Sequence, residues 1–218
     1  MEEKEIHDDL AAIRNVMERS SKFISLSGLS GILAGIYALI GAAVAYKIVY
    51  HPTPPDVSRY IDRDPAITVG LFYGRDDSVI IFQLLIVAVL VLFASLITGF
   101  ILTRNKAKRK GQSIWGKVSQ SLLFNMAVPL VSGGALIFIL LLRQHYGIVA
   151  GASLIFYGLS LVSASNFTFT DVRYLGISEI ILGLIAACLP GYGLLFWAIG
   201  FGVLHIIYGS LMYLRYDR

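Results

Sequence analysis

The chain has 218 residues, of which 56% are hydrophobic and 15% charged, with a formal net charge of +4 and a mean hydropathy of +0.73. Soluble domains carry roughly 25% charged residues, so this composition excludes an ordinary water-soluble domain. Its basic excess sits beside apolar stretches and not on a nucleic-acid-binding fold, and the single cysteine, Cys188, excludes an internal disulfide.

The start, Met1-Glu2-Glu3-Lys4-Glu5, is acidic and unlike a cleavable signal peptide, so the first apolar span is expected to act as its own signal-anchor. Residues 1–23 are expected to form a cytoplasmic amphipathic helix. Ile6, Leu10, Ile13 and Met17 share one stripe, with Asp8, Asp9, Arg14 and Glu18 elsewhere around it. Such a helix lies on the inner membrane surface or caps a bundle. Alternatively, residues 4–22 are a docking site for a protein partner.

Residues 24–218 form the second unit, with apolar runs at about 24–48, 78–103, 119–142, 148–165, 175–189 and 194–214. About 20 apolar residues carry a helix across a ~30 Å hydrocarbon core. The runs are continuous, not alternating, and backbone groups in lipid must pair internally, so helices are expected and not a barrel. The fold class is all-α: a polytopic membrane protein of six transmembrane helices.

Residues 49–77 make an outer loop. It opens on His51-Pro52-Thr53-Pro54-Pro55, a stiff extended exit from the first span. Asp56, Asp62, Asp64, Asp76 and Asp77 follow, against Arg59, Arg63 and Arg75. Their spacing matches no metal-binding motif, so a surface lid is expected and no metal. Between the second and third spans, Arg104, Lys106, Lys108, Arg109 and Lys110 form a short basic loop expected to rest on lipid head groups. Basic loops mark the cytoplasmic side, which places both termini inside.

Glycines recur seven apart in four spans: Gly28/Gly35, Gly151/Gly158, Gly176/Gly183 and Gly202/Gly209. Two helical turns separate each pair, so each clears one face for close backbone approach in lipid. The segment from Gly28 to Ala38 aligns with that from Gly176 to Ala186, and Tyr157-Gly158 matches Tyr208-Gly209. The matched spans run the same way, which predicts three parallel hairpins with 49–77 inserted in the first.

The last hairpin, Gly176-Ile-Ser-Glu-Ile-Ile-Leu-Gly183 to Pro190, then Gly200-Phe-Gly202 to Tyr208-Gly209, resembles a repeat of bacterial six-helix membrane proteins linked to acid resistance. The resemblance covers residues 175–214. Pro129 inside the third span departs from it, and so do the outer loop and the N-terminal helix. It implies a bacterial inner-membrane location and a stress role, and carries over no catalytic residue.

Polar groups inside spans are costly and point to function by default. Glu179 lies about one turn inside the fifth span and His205 near the middle of the sixth. In a hairpin closing at 190–193, Glu179 is expected level with Ser210 and His205 about 7 Å further outward, a gap that one or two waters could bridge. Asn125, Tyr157, Ser160, Thr98 and Ser95 project to a similar inner-half depth, and a polar pocket open to the cytoplasm is expected to include Glu179, His205, Asn125, Tyr157, Ser160 and Ser210. The structural alternatives are a Glu179 bonded to Ser30, Ser178 or a carbonyl, a neutral core histidine, and an Asn125 that only glues helices.

HExxH, GxSxG, a glycine-rich phosphate loop and a cysteine pair are all absent from the sequence, and His205 is the only deep histidine. A non-enzymatic protein without cofactor is expected. The leading expectation is a small stress-associated or accessory membrane protein binding a small ligand, lipid or proton in that pocket. Its rival is a proton or small-solute transporter using Glu179 and His205, and a third reading is a membrane anchor within a larger complex. Membrane lipids are the expected partners; a homo-oligomer stays open.

Overall fold

A computed structural model describes residues 27–50, 77–109 and 115–217. The expected N-terminal helix, most of the outer loop and Lys110 lie outside them. Helix α1 spans Gly28–Tyr50, α2 Asp77–Arg109 and α3 Lys117–Leu142. A 3-10 turn, Tyr146–Ile148, leads into α4 (Val149–Ala164), and α5 spans Asp171–Cys188. The last helix is one rod in four segments: α6 (Gly193–Trp197), a π-helical stretch (Ala198–Leu204), α7 (His205–Met212) and a π-helical end (Tyr213–Asp217).

Five of these helices are long and apolar enough to cross a membrane. α5 fails on charge and not on length, because its 18 residues include Asp171, Arg173 and Glu179. The second helix also outruns its expected end. It continues through Arg109, so Arg104, Lys106, Lys108 and Arg109 ride on its last turns and not in a loop. Lys and Arg are good helix formers, and cations suit the negative end of the helix dipole.

Glycine decides which helices pack closest. α4 and α5 run antiparallel along their length: a Cβ on Gly158 would lie 2.5 Å from the Gly176 carbonyl oxygen, and one on Gly151 2.8 Å from that of Gly183. α1 and the last helix repeat the arrangement, with Gly35 against Gly202 (2.6 Å to its carbonyl oxygen) and Gly209 against Gly28 (2.9 Å). Where lipid removes the hydrophobic drive between helices, such close approach is what holds them. The internal repeat is thus a repeated helix contact. It joins α4 to α5 and the first helix to the last, whereas the expected pair of α5 with the last helix packs more loosely.

The remaining helices flank these four. α2 packs on α1, where Val91 fills the space over Gly41, and α3 packs on α4, where Phe156 covers Gly133. Both turn long apolar faces outward: Phe82, Leu90, Phe93, Phe124, Val131 and Phe138 are all exposed. That suits acyl chains better than water. At one end of the bundle Leu161, Phe169, Val172, Leu175 and Met212 form a core between α4, α5 and the last helix. At the other end, Gly191 takes φ +102 in the turn into α6, a conformation that favours glycine.

Candidate functional site

Glu179 shares the buried stripe of α5 with Leu175, Gly176, Gly183 and Ala186. Three- and four-residue spacings put these on one helix face, so the carboxyl group sits in the α4–α5 contact itself. It is 0% exposed. The last helix makes room for it: a Cβ on Gly200 would lie 2.5 Å from Glu179 Oε2, 2.5 Å from Leu154 Cδ2 and 3.2 Å from Leu182 Cδ2. Only a glycine accommodates the carboxyl there without a shift.

His205 begins α7 directly after the π-helical stretch. That stretch moves backbone pairing from four residues to five, a device common at functional sites. The His205 ring reaches back the same five residues, with Nδ1 3.0 Å from the Gly200 carbonyl oxygen. Its Nε2 lies 2.8 Å from the Tyr157 hydroxyl, and Nδ1 is 3.5 Å from Glu179 Oε1. His205 itself is 7% exposed.

These contacts fix the proton positions. A carbonyl oxygen only accepts, so Nδ1 carries a hydrogen, and in the neutral ring Nε2 accepts from the Tyr157 hydroxyl. The Nδ1–H is donated to the Gly200 oxygen, and the Glu179 carboxyl stands 3.5 Å from the same nitrogen. Among the described residues both oxygens of Glu179 lack a hydrogen bond, as does Ser160 Oγ. An aromatic ladder flanks the ring: Trp197 to Phe201 at 5.2 Å, Phe201 to His205 at 6.0 Å, and Tyr157 against Phe201 at 5.0 Å. Tyr157 as a residue is half-buried.

The structure thus joins Glu179, His205 and Tyr157 directly. The expected 7 Å offset is wrong. Glu179 stands eleven residues before Pro190 and His205 thirteen after Tyr192, so the turn between them sets the two nearly level. Ser160, three residues beyond Tyr157, is fully buried on the same helix. Asn125 instead donates to the Ser121 carbonyl within α3, and Ser210 to that of Ile206. The alternatives for Glu179 are not taken up, since Ser30 bonds the Ser27 carbonyl and Ser178 that of Tyr174. Gly200 completes the site, and its only sequence signal is a glycine in register with an acid in the apolar run of the facing helix.

Comparison with known protein families, curated proteins and solved structures finds no match to this chain.

Proposed function

We propose that the chain is a non-catalytic, six-span protein of a bacterial cytoplasmic membrane whose Tyr157–His205–Glu179 chain binds and relays a proton. One observation carries the reading: a fully buried carboxyl with no hydrogen bond stands 3.5 Å from an imidazole whose far nitrogen is bonded to a tyrosine. Treating α5 as the sixth span is supported by its antiparallel packing along the membrane-length α4. The cytoplasmic placing of both termini rests on the basic end of α2.

The chemistry follows from charge. An isolated ion in a low-dielectric interior is costly, so the pair prefers its two neutral overall states. In one, Glu179 is a carboxylic acid and His205 a neutral ring protonated at Nδ1. In the other, Glu179 is a carboxylate and His205 an imidazolium. Uptake of a proton at Nε2 from the Tyr157 side together with loss of the Glu179 proton takes the first state to the second. Nδ1 then passes its own proton to the carboxylate and leaves a neutral ring protonated at Nε2, so His205 takes a proton on one face and gives it on the other. A buried site that changes state with proton supply also fits the acid-resistance resemblance of residues 175–214.

Proton flux into proteoliposomes under an imposed pH gradient tests the reading. Flux in the wild type that Glu179→Gln abolishes supports relay through this chain. Folded wild-type protein with no flux above empty liposomes would reduce the site to proton binding alone, the accessory reading.

A further inference from the structure

The basic end of the bundle carries a second set of interactions that the proton chain does not use. Arg215 donates from Nη1 to both carboxylate oxygens of Asp171, each at 3.2 Å, and the Tyr216 hydroxyl donates to Asp171 Oδ2 at 2.9 Å. The Tyr216 ring stacks on Phe169 with centroids 4.1 Å apart. Two cations bracket this stack: Lys106 Nζ lies 5.8 Å from the Phe169 centroid and Arg215 Cζ 5.8 Å from that of Tyr216. Beside it runs a groove of about 390 Å³ lined by Asp171, Tyr208, Leu211, Leu214 and Arg215.

The groove is amphipathic along its length. Leu211 and Leu214 are exposed on the last helix, one turn and one residue before Arg215. Arg215 closes the other end with its side chain 68% exposed, and both bonds to Asp171 come from one nitrogen, so the guanidinium fork has donors directed elsewhere. Such a fork matches phosphate oxygens as well as carboxylate oxygens. Beside it Lys106 adds a second cation over the Phe169 ring, so Arg215 and Lys106 outnumber the single acid Asp171. The charge surplus selects against a zwitterionic head group and for an anionic one.

We infer that this groove is a binding site for one anionic glycerophospholipid of the phosphatidylglycerol class. The phosphate sits on Arg215, and an acyl chain lies along Tyr208, Leu211 and Leu214. The site is distinct from a basic helix end that merely rests on a charged surface, because it has apolar walls and a defined phosphate donor. It rests on the membrane reading and not on the proton relay, and it is assayed in detergent without a gradient, so either can fail alone.

The experiment measures the unfolding midpoint of the full-length protein in a neutral detergent with added phosphatidylglycerol, phosphatidylcholine or free sn-glycerol 3-phosphate. Phosphatidylglycerol is expected to raise the midpoint and the other two to leave it unchanged. The response should weaken about tenfold or more in lipid concentration for Arg215→Gln, the order expected for a charge-assisted bond. It should also be lost in Leu211→Trp, which fills the groove, and kept in Lys108→Gln. Equal stabilisation by phosphatidylcholine would overturn the inference, as would a full effect of glycerol 3-phosphate alone. An unchanged response in both Arg215→Gln and Leu211→Trp would do the same.

Discussion

Glu179 Oε1 and His205 Nδ1 stand 3.5 Å apart, held there by two helices that meet at a short turn and by a glycine that leaves the carboxyl its space. Neither residue approaches the other by flexibility. Glu179 is fixed on the small-residue stripe of α5, and the His205 ring is tied at both nitrogens, to the Gly200 carbonyl and the Tyr157 hydroxyl. Among the described residues the carboxyl is paired with the His205 ring.

Removing the acid should release stability while abolishing function. Buried polar groups without full pairing are costly, and functional sites commonly carry such a cost. Glu179→Gln keeps the shape and removes the titrating proton. We expect a protein at least as resistant to thermal unfolding in detergent as the wild type, with no proton flux. An unfolded variant would show that Glu179 is structural.

Gly200→Ala separates the site from the scaffold. The added methyl group would meet Glu179 Oε2 and Leu154 Cδ2 at 2.5 Å, both at the far ends of side chains that can rotate. The fold should persist and the carboxyl should move off His205. The expected result is a near-native melting profile with strongly reduced flux; wild-type flux would mean that the Gly200 space is incidental.

Glycines at the helix crossings behave in the opposite way. A Cβ on Gly158 or Gly176 meets backbone atoms at 2.5–2.7 Å, which cannot rotate aside. Gly176→Val should therefore destabilise by about 1–3 kcal/mol or more, the range of overpacking. Gly134→Ala, where a Cβ would meet nothing within 4 Å, should be neutral or slightly stabilising. Chemical denaturation in mixed micelles reads both.

The Asp171–Arg215 pair should matter little to stability. Arg215 is largely exposed, and exposed pairs contribute below about 1 kcal/mol and less in salt. Asp171→Asn is expected to shift the unfolding midpoint only slightly, and the shift should shrink as ionic strength rises. A large, salt-insensitive loss would place this pair in a drier environment than its exposure indicates.

Much of the helical architecture was legible in the sequence because long continuous apolar runs favour helices, whose backbone groups pair internally. Continuous apolar runs marked the helices, and glycine spacing marked the faces that touch. Spacing could not say which glycine faces meet. Gly28 and Gly209 are nearly the whole chain apart, yet they pair as Gly158 and Gly176 do. Glu179, His205 and Tyr157 were singled out as intramembrane polar groups, and their convergence depended on the level set by the turn at Pro190. The π-helical stretch has no periodicity signal, so the Gly200 carbonyl and its bond to His205 were not readable. Asn125 and Ser210 show the converse limit: depth alone cannot tell a site residue from one bonded within its own helix.

Infrared absorption of the carboxyl groups, recorded in lipid for wild type, Glu179→Gln and His205→Phe, tests the shared proton most directly. The account predicts a carboxylic-acid band that vanishes in Glu179→Gln and shifts in His205→Phe. A Glu179 band unmoved by loss of His205 would contradict it.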